Sequence, residues 1–182
     1  ETLQRAGMKL SQMAILVRAG FQTRAFEERF LTMGIPYRVI GGLRFYERAE
    51  VRDAVAYLRV MSSTDDNLAF ERIVNTPKRG IGQATLQQMH SCARERGISL
   101  YRATQHLLET GVFKGKLGIA LRELLDGFER WRASLVTLPL SEATEQMLEE
   151  SGYRRMWKED KSPEAAGRLE NLRELARALG EF

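Results

Sequence analysis

From Lys116 to Leu135 the apolar residues Leu117, Leu121, Leu124, Phe128, Trp131 and Leu135 recur at steps of three and four. That period lines one face of an α-helix. In a strand the same residues would divide between two faces, so the spacing commits this stretch to a long helix. The chain beyond residue 65 follows the same period, with no segment that alternates as a strand does. Leu68 to Val74 reads as a short helix. Gln83 to Arg96 reads as a helix stopped by Gly97, and Ser99 caps another through about Glu109. Ser141 starts a helix to about Glu150. Ser162-Pro163 places a cap before a proline at the first helical position of a helix to about Leu179.

The first 64 residues read differently. Ala14 to Arg18 and Tyr37 to Ile40 are short apolar runs expected to be strands, the second ended by Gly41-Gly42. Thr23 to Met33 is predicted as a helix with Phe26, Phe30 and Met33 on one face, stopped by Gly34. Glu47 to Met61 is predicted as another, with Val51, Ala54, Val55 and Leu58 inward. Strand–helix–strand–helix order implies a parallel pair with a crossover. Two strands make an incomplete sheet, because parallel sheets are normally larger and covered on both faces. The polar run Ser62 to Asn67 marks the expected boundary. The expected fold is mostly α: a short α/β part over 1–64 holding an incomplete parallel sheet, then a multihelical domain over 65–182.

Composition narrows the function classes. The chain is 43% hydrophobic and 29% charged, with both signs mixed, which suits a folded core rather than disorder. No apolar run reaches the roughly 18 residues of a membrane span, and no signal-peptide pattern opens the sequence. A single Cys92 fits a reducing, cytoplasmic setting, and with two His a Cys/His zinc site is not expected. Arg accounts for 22 of the 28 basic residues, and residues 1–60 carry 10 basic against 6 acidic groups. Arg suits bidentate phosphate contact.

Three segments could carry chemistry. In Thr76-Pro77-Lys78-Arg79-Gly80-Ile81-Gly82, two cations precede a Gly-x-Gly loop that opens a helix. The glycines let backbone approach a phosphate, and the helix N-terminus points N–H groups at it. Lys78, Arg79, Gly80, Ile81 and Gly82 are therefore candidates for sequence-independent contact with duplex DNA. The same residues also suit a plain turn between helices. In Arg44-Phe45-Tyr46-Glu47-Arg48, aromatics between arginines could stack bases and hold phosphates, or the aromatics could be core residues at a helix start. Arg18 follows a strand-like run, where α/β sheets place ligand-contacting groups. It could stabilise a transferring γ-phosphate, or be a surface residue. The sequence lacks a G-x-x-x-x-G-K-[ST] phosphate loop and an apolar strand ending in an Asp-Glu pair. The chain alone is not expected to hydrolyse ATP.

Residues Val17-Arg18-Ala19-Gly20-Phe21-Gln22-Thr23-Arg24, Ile35 to Arg48, Glu50 to Arg59, Ile73 to Gly82 and Arg168 to Leu175 together resemble the UvrD/PcrA/Rep group of superfamily 1A DNA helicases. The resemblance implies that residues 1–64 are part of the P-loop NTPase-like second motor domain, called 2A. Residues 65–182 would be most of the helical 2B insertion. It implies that Arg18 reaches the nucleotide γ-phosphate, although Val17 stands where the family usually has an adenine-stacking aromatic. It also implies that Arg44, Phe45 and Arg48 lie along the single-strand path and that the Lys78–Gly82 loop grips duplex DNA. By resemblance the whole protein is an ATP-dependent 3′–5′ DNA helicase of repair or replication. It would use ATP and Mg2+, neither held by this chain alone, and no metal is expected here. Its partners would be DNA, the remaining helicase domains and a repair protein, at the nucleoid in the cytoplasm. The competing expectation is a helical regulatory or protein-interaction module of a helicase or helicase–nuclease complex, anchored on Met156 and Trp157.

Overall fold

The computed structural model describes residues 2–40 and 44–180. Two compact units divide between Phe45 and Tyr46, whereas the domain assignment drawn from the sequence is 1–64 and 65–182.

The first unit holds a single turn α1 (Thr2–Arg5), two 3-10 turns (Leu10–Gln12 and Gly20–Gln22) and helix α2 (Thr23–Thr32). The Gln22 side chain accepts from the amides of Arg18 and Ala19 and so fixes the entry to α2. Glu27, buried on α2, accepts from the Tyr37 hydroxyl at 3.1 Å and from the Phe45 amide at 3.2 Å. One carboxylate thereby ties the returning segment to the helix. Phe30 packs against Tyr37 with ring centroids 5.5 Å apart.

The two expected strands are not present. Residues 14–17 and 35–39 carry no regular structure, and no strand occurs among the described residues. A parallel pair closes its ladder only beside further strands and under helical layers. The first unit offers neither, and Leu16 and Ile40 are 96% and 89% exposed. The Gly41-Gly42 turn lies outside the described residues.

The second unit is helical throughout: α3 (Ala49–Ser62), α4 (Asn67–Ile73), α5 (Gln83–Arg96), α6 (Leu100–Glu109), α7 (Gly115–Thr137), α8 (Leu140–Glu150), α9 (Tyr153–Glu159) and α10 (Ala165–Leu179). Helix α3 packs against α4, α7, α8 and α10. Its buried face is Val51, Ala54, Tyr57, Val60 and Met61. Around Tyr57 lie Phe128, Trp131 and Tyr153, with centroids 5.8 to 6.1 Å away, and Tyr101 extends the cluster to Phe70. The polar ends of these rings are partnered, as buried Tyr and Trp require. Trp131 Nε1 donates to Glu150 at 2.9 Å, and the Tyr153 hydroxyl donates to Asp53 at 2.8 Å. Burial pushes the Tyr101 phenol up to about 12. The polar break holds as a cap: Asp66 accepts from the Ala69 amide at 3.0 Å. Among the described residues no helix is long and apolar enough to cross a membrane.

Candidate nucleic-acid interface

The loop between α4 and α5 is built by three residues that reach into it. Asn75 Oδ1 accepts from the amides of Arg79 (2.8 Å) and Ile81 (3.2 Å), and its Nδ2 donates to the Ile81 carbonyl at 2.8 Å. A short amide side chain that bonds nearby backbone is the usual device for holding a turn. Arg79 Nη1 donates to the carbonyls of Ile73, Val74 and Pro77 at 3.1 to 3.2 Å. Its Nη2 donates to the Tyr57 hydroxyl at 2.8 Å and to the Ser151 carbonyl at 3.3 Å, on the turn between α8 and α9. The Tyr57 hydroxyl in turn donates to the Thr76 carbonyl at 2.6 Å. Burial holds this phenol above its ordinary range against the opposing pull of Arg79, so it stays neutral and able to donate.

The consequence is an alternation along the loop. Arg79 is half-buried and Ile81 is buried, and both spend their amides on Asn75. Lys78, Gly80 and Gly82 are exposed, and their amides make no hydrogen bond among the described residues. The Lys78 ammonium likewise has no acidic partner among them. Gly80 sits at φ +75°, a left-handed position that only glycine adopts freely. Gly82 is different. Its φ is −97°, and a Cβ placed there would meet open space. Neither backbone conformation nor internal packing requires glycine at 82. Helix α5 starts immediately after it, with Leu86 N donating to the Gly82 carbonyl.

Of the two cations that the sequence offers in this loop, Lys78 is exposed and Arg79 is turned inward. Arg79 is not a mobile charge beside Lys78, because its guanidinium is consumed by five inward hydrogen bonds. Sequence reasoning also misses Asn75 and Tyr57. The legible signal for Asn75 is its place just before Thr-Pro in a turn. For Tyr57 it is a phenol on an otherwise apolar helix face, which must find a partner.

Of the other candidates, Arg18, Arg44 and Phe45 belong to the first unit and Arg48 to the second. Arg18 is exposed, and its guanidinium has no partner among the described residues. The exposed Arg44 lies with its guanidinium 5.2 Å from the Tyr37 ring centroid. Phe45 is fully buried, so in this arrangement it cannot stack on a base; Tyr46 is the exposed aromatic of the pair. Arg48 donates to Asn171 Oδ1 at 2.6 Å, and Asn171 donates to Glu50. That arginine ties the start of α3 to α10. Trp157 packs edge-on against Tyr153 with the Arg168 guanidinium 4.3 Å from its ring, so it does not form a free anchor.

A family profile described as UvrD-like helicase C-terminal domain matches residues 1–182. DNA helicase II of Rickettsia typhi is 49% identical over 170 residues, covering 93% of this chain and 26% of that protein. DNA helicase II of Escherichia coli is 37% identical over 182 residues, covering 100% of this chain and 25% of that protein. ATP-dependent DNA helicase PcrA of Bacillus subtilis is 40% identical over 174 residues, covering 96% and 23%. The chain spans about a quarter of the length of the curated relatives it matches.

Proposed function

The chain belongs to the UvrD-like helicase C-terminal domain family, and on that premise we propose that it is a DNA-engaging part of an ATP-dependent 3′–5′ DNA helicase that unwinds duplex DNA in repair or replication. In this reading residues 1–64 belong to the second motor domain, and the missing parallel sheet is completed by the rest of the helicase. Residues 65–182 form most of the 2B insertion. ATP and Mg2+ are cofactors of the whole protein, and ATP supplies the phosphoryl transfer that drives movement. From this chain Arg18, exposed and unpaired among the described residues, would hold the γ-phosphate. The partners are a duplex/single-strand junction, the other helicase domains and a repair protein, at the nucleoid.

One observation carries the duplex contact: the outward strip of Lys78, Gly80 and Gly82, with free amides and a glycine at 82 that neither its φ nor internal packing requires. A phosphate brought against the backbone supplies the missing reason, since a side chain at 82 would stand in its way. The N-terminal amides of α5 add donors in the same place. Arg44 and Arg48 remain proposed single-strand contacts, and Phe45 would reach the strand only after leaving its buried position.

The test is Gly82→Ala. The variant should melt within a few degrees of the parent, since Ala replaces Gly at a helix N-cap for under about 1 kcal/mol. Its affinity for duplex DNA should fall by about tenfold or more. Unchanged duplex affinity would remove the loop from the interface.

A further inference from the structure

Resting on the reading of this loop as the duplex contact, we propose that Arg79 and Asn75 are positioning residues that hold Lys78, Gly80 and Gly82 outward for phosphate, and that Arg79 itself neutralises no phosphate. The two residues divide the work. Asn75 gathers the inward amides of residues 79 and 81 onto one oxygen and returns a donor to the Ile81 carbonyl. Each amide it takes turns the neighbouring one toward solvent, which produces the alternation between 78 and 82. Arg79 fixes the whole loop to the core. It bridges the end of α4, Tyr57 of α3 and the Ser151 carbonyl, which is 72 residues away in sequence. The Pro77 ring lies beside Gly152 of the same turn.

A guanidinium that gives its donors to four carbonyls and a phenol has little left for a ligand. Moving it to a phosphate would leave those acceptors unpaired in a half-buried site. Holding the loop in place before DNA arrives spares the ordering cost at binding. The charge of Lys78, with no acidic partner among the described residues, is then the part that displaces counterions.

Salt dependence separates the two roles, because the slope of log Kobs against log salt counts neutralised phosphates. Binding of a labelled blunt duplex is followed by fluorescence anisotropy across salt, at a temperature where circular dichroism shows each variant folded. Lys78→Ala should weaken binding and reduce the slope by about 0.9. Arg79→Lys and Arg79→Ala should weaken binding alike, by about tenfold, and leave the slope at the parent value. Asn75→Ala should behave as they do and speed hydrogen exchange at the Ile81 amide. It also carries the test should Arg79→Ala fail to fold. The proposal is overturned if Arg79→Lys binds as the parent, or if Arg79→Ala reduces the slope as Lys78→Ala does, because Arg79 would then act by charge. It is equally overturned if Arg79 and Asn75 variants keep full affinity. If Lys78→Ala changes neither affinity nor slope, the duplex reading beneath the proposal fails instead, and that result is distinct from the others.

Discussion

The two units solve burial in opposite ways. In the second, the large side chains go inside: Tyr57, Phe128, Trp131 and Tyr153 meet around α3, and their polar ends find Thr76, Glu150 and Asp53. In the first, α2 buries Arg24 and Glu27, while Ile15, Leu16, Phe26, Leu31 and Ile40 stay exposed. Burial of apolar surface is the main favourable term in folding. The second unit therefore carries the stability measurable in this chain. The first leaves much of its apolar surface in contact with water. The loop proposed to contact phosphate lies on the second unit and is tied to its core through Arg79 and Tyr57.

The largest effect should come from emptying the aromatic cluster. Phe128→Ala is expected to cost about 3–5 kcal/mol in urea unfolding. A much smaller loss would mean that the cluster is not the core. Next is Tyr57→Phe, which keeps the ring but leaves the Thr76 carbonyl and one Arg79 donor without a partner, for about 1–3 kcal/mol. Equal stability to the parent would show that the loop is not tied to the core through this phenol.

A smaller effect is expected at the start of α4, where Asp66→Ala should cost about 1 kcal/mol. The Ala69 amide, helped by Arg59, holds the Asp66 carboxyl below its usual range. A group depressed on folding stabilises above its unfolded value and loses that contribution as pH falls through its folded value. The stability gap between parent and variant should thus close below about pH 4. A gap that widened on acidification would contradict the cap. The smallest effect should be Leu16→Ser in the first unit, within about 0.5 kcal/mol. A large loss there would erase the contrast between the units.

Much of the second unit is legible in the sequence because its signals are local. The Leu121–Leu124–Phe128–Trp131 stripe, the Ser99 cap and the Gly97 stop each depend on residues within a turn or two, and each stands where expected. The loop glycines are legible for the same reason. The direction of Arg79 is not, because it is decided by Tyr57 and Ser151, far away in sequence. The choice between Phe45 and Tyr46 is of the same kind: both suit a helix start, and only tertiary packing decides which is buried. The apolar runs at 14–18 and 37–40 have strand composition, but a strand exists only with a partner.

The most direct test of the duplex-binding loop is the salt dependence of this chain on a labelled duplex carrying a 3′ single-stranded tail, with several unrelated sequences. Binding should be indifferent to sequence, and log Kobs should fall linearly with log salt. Absence of binding at low salt, or affinity that ignores salt, would contradict a phosphate-gripping loop in this chain.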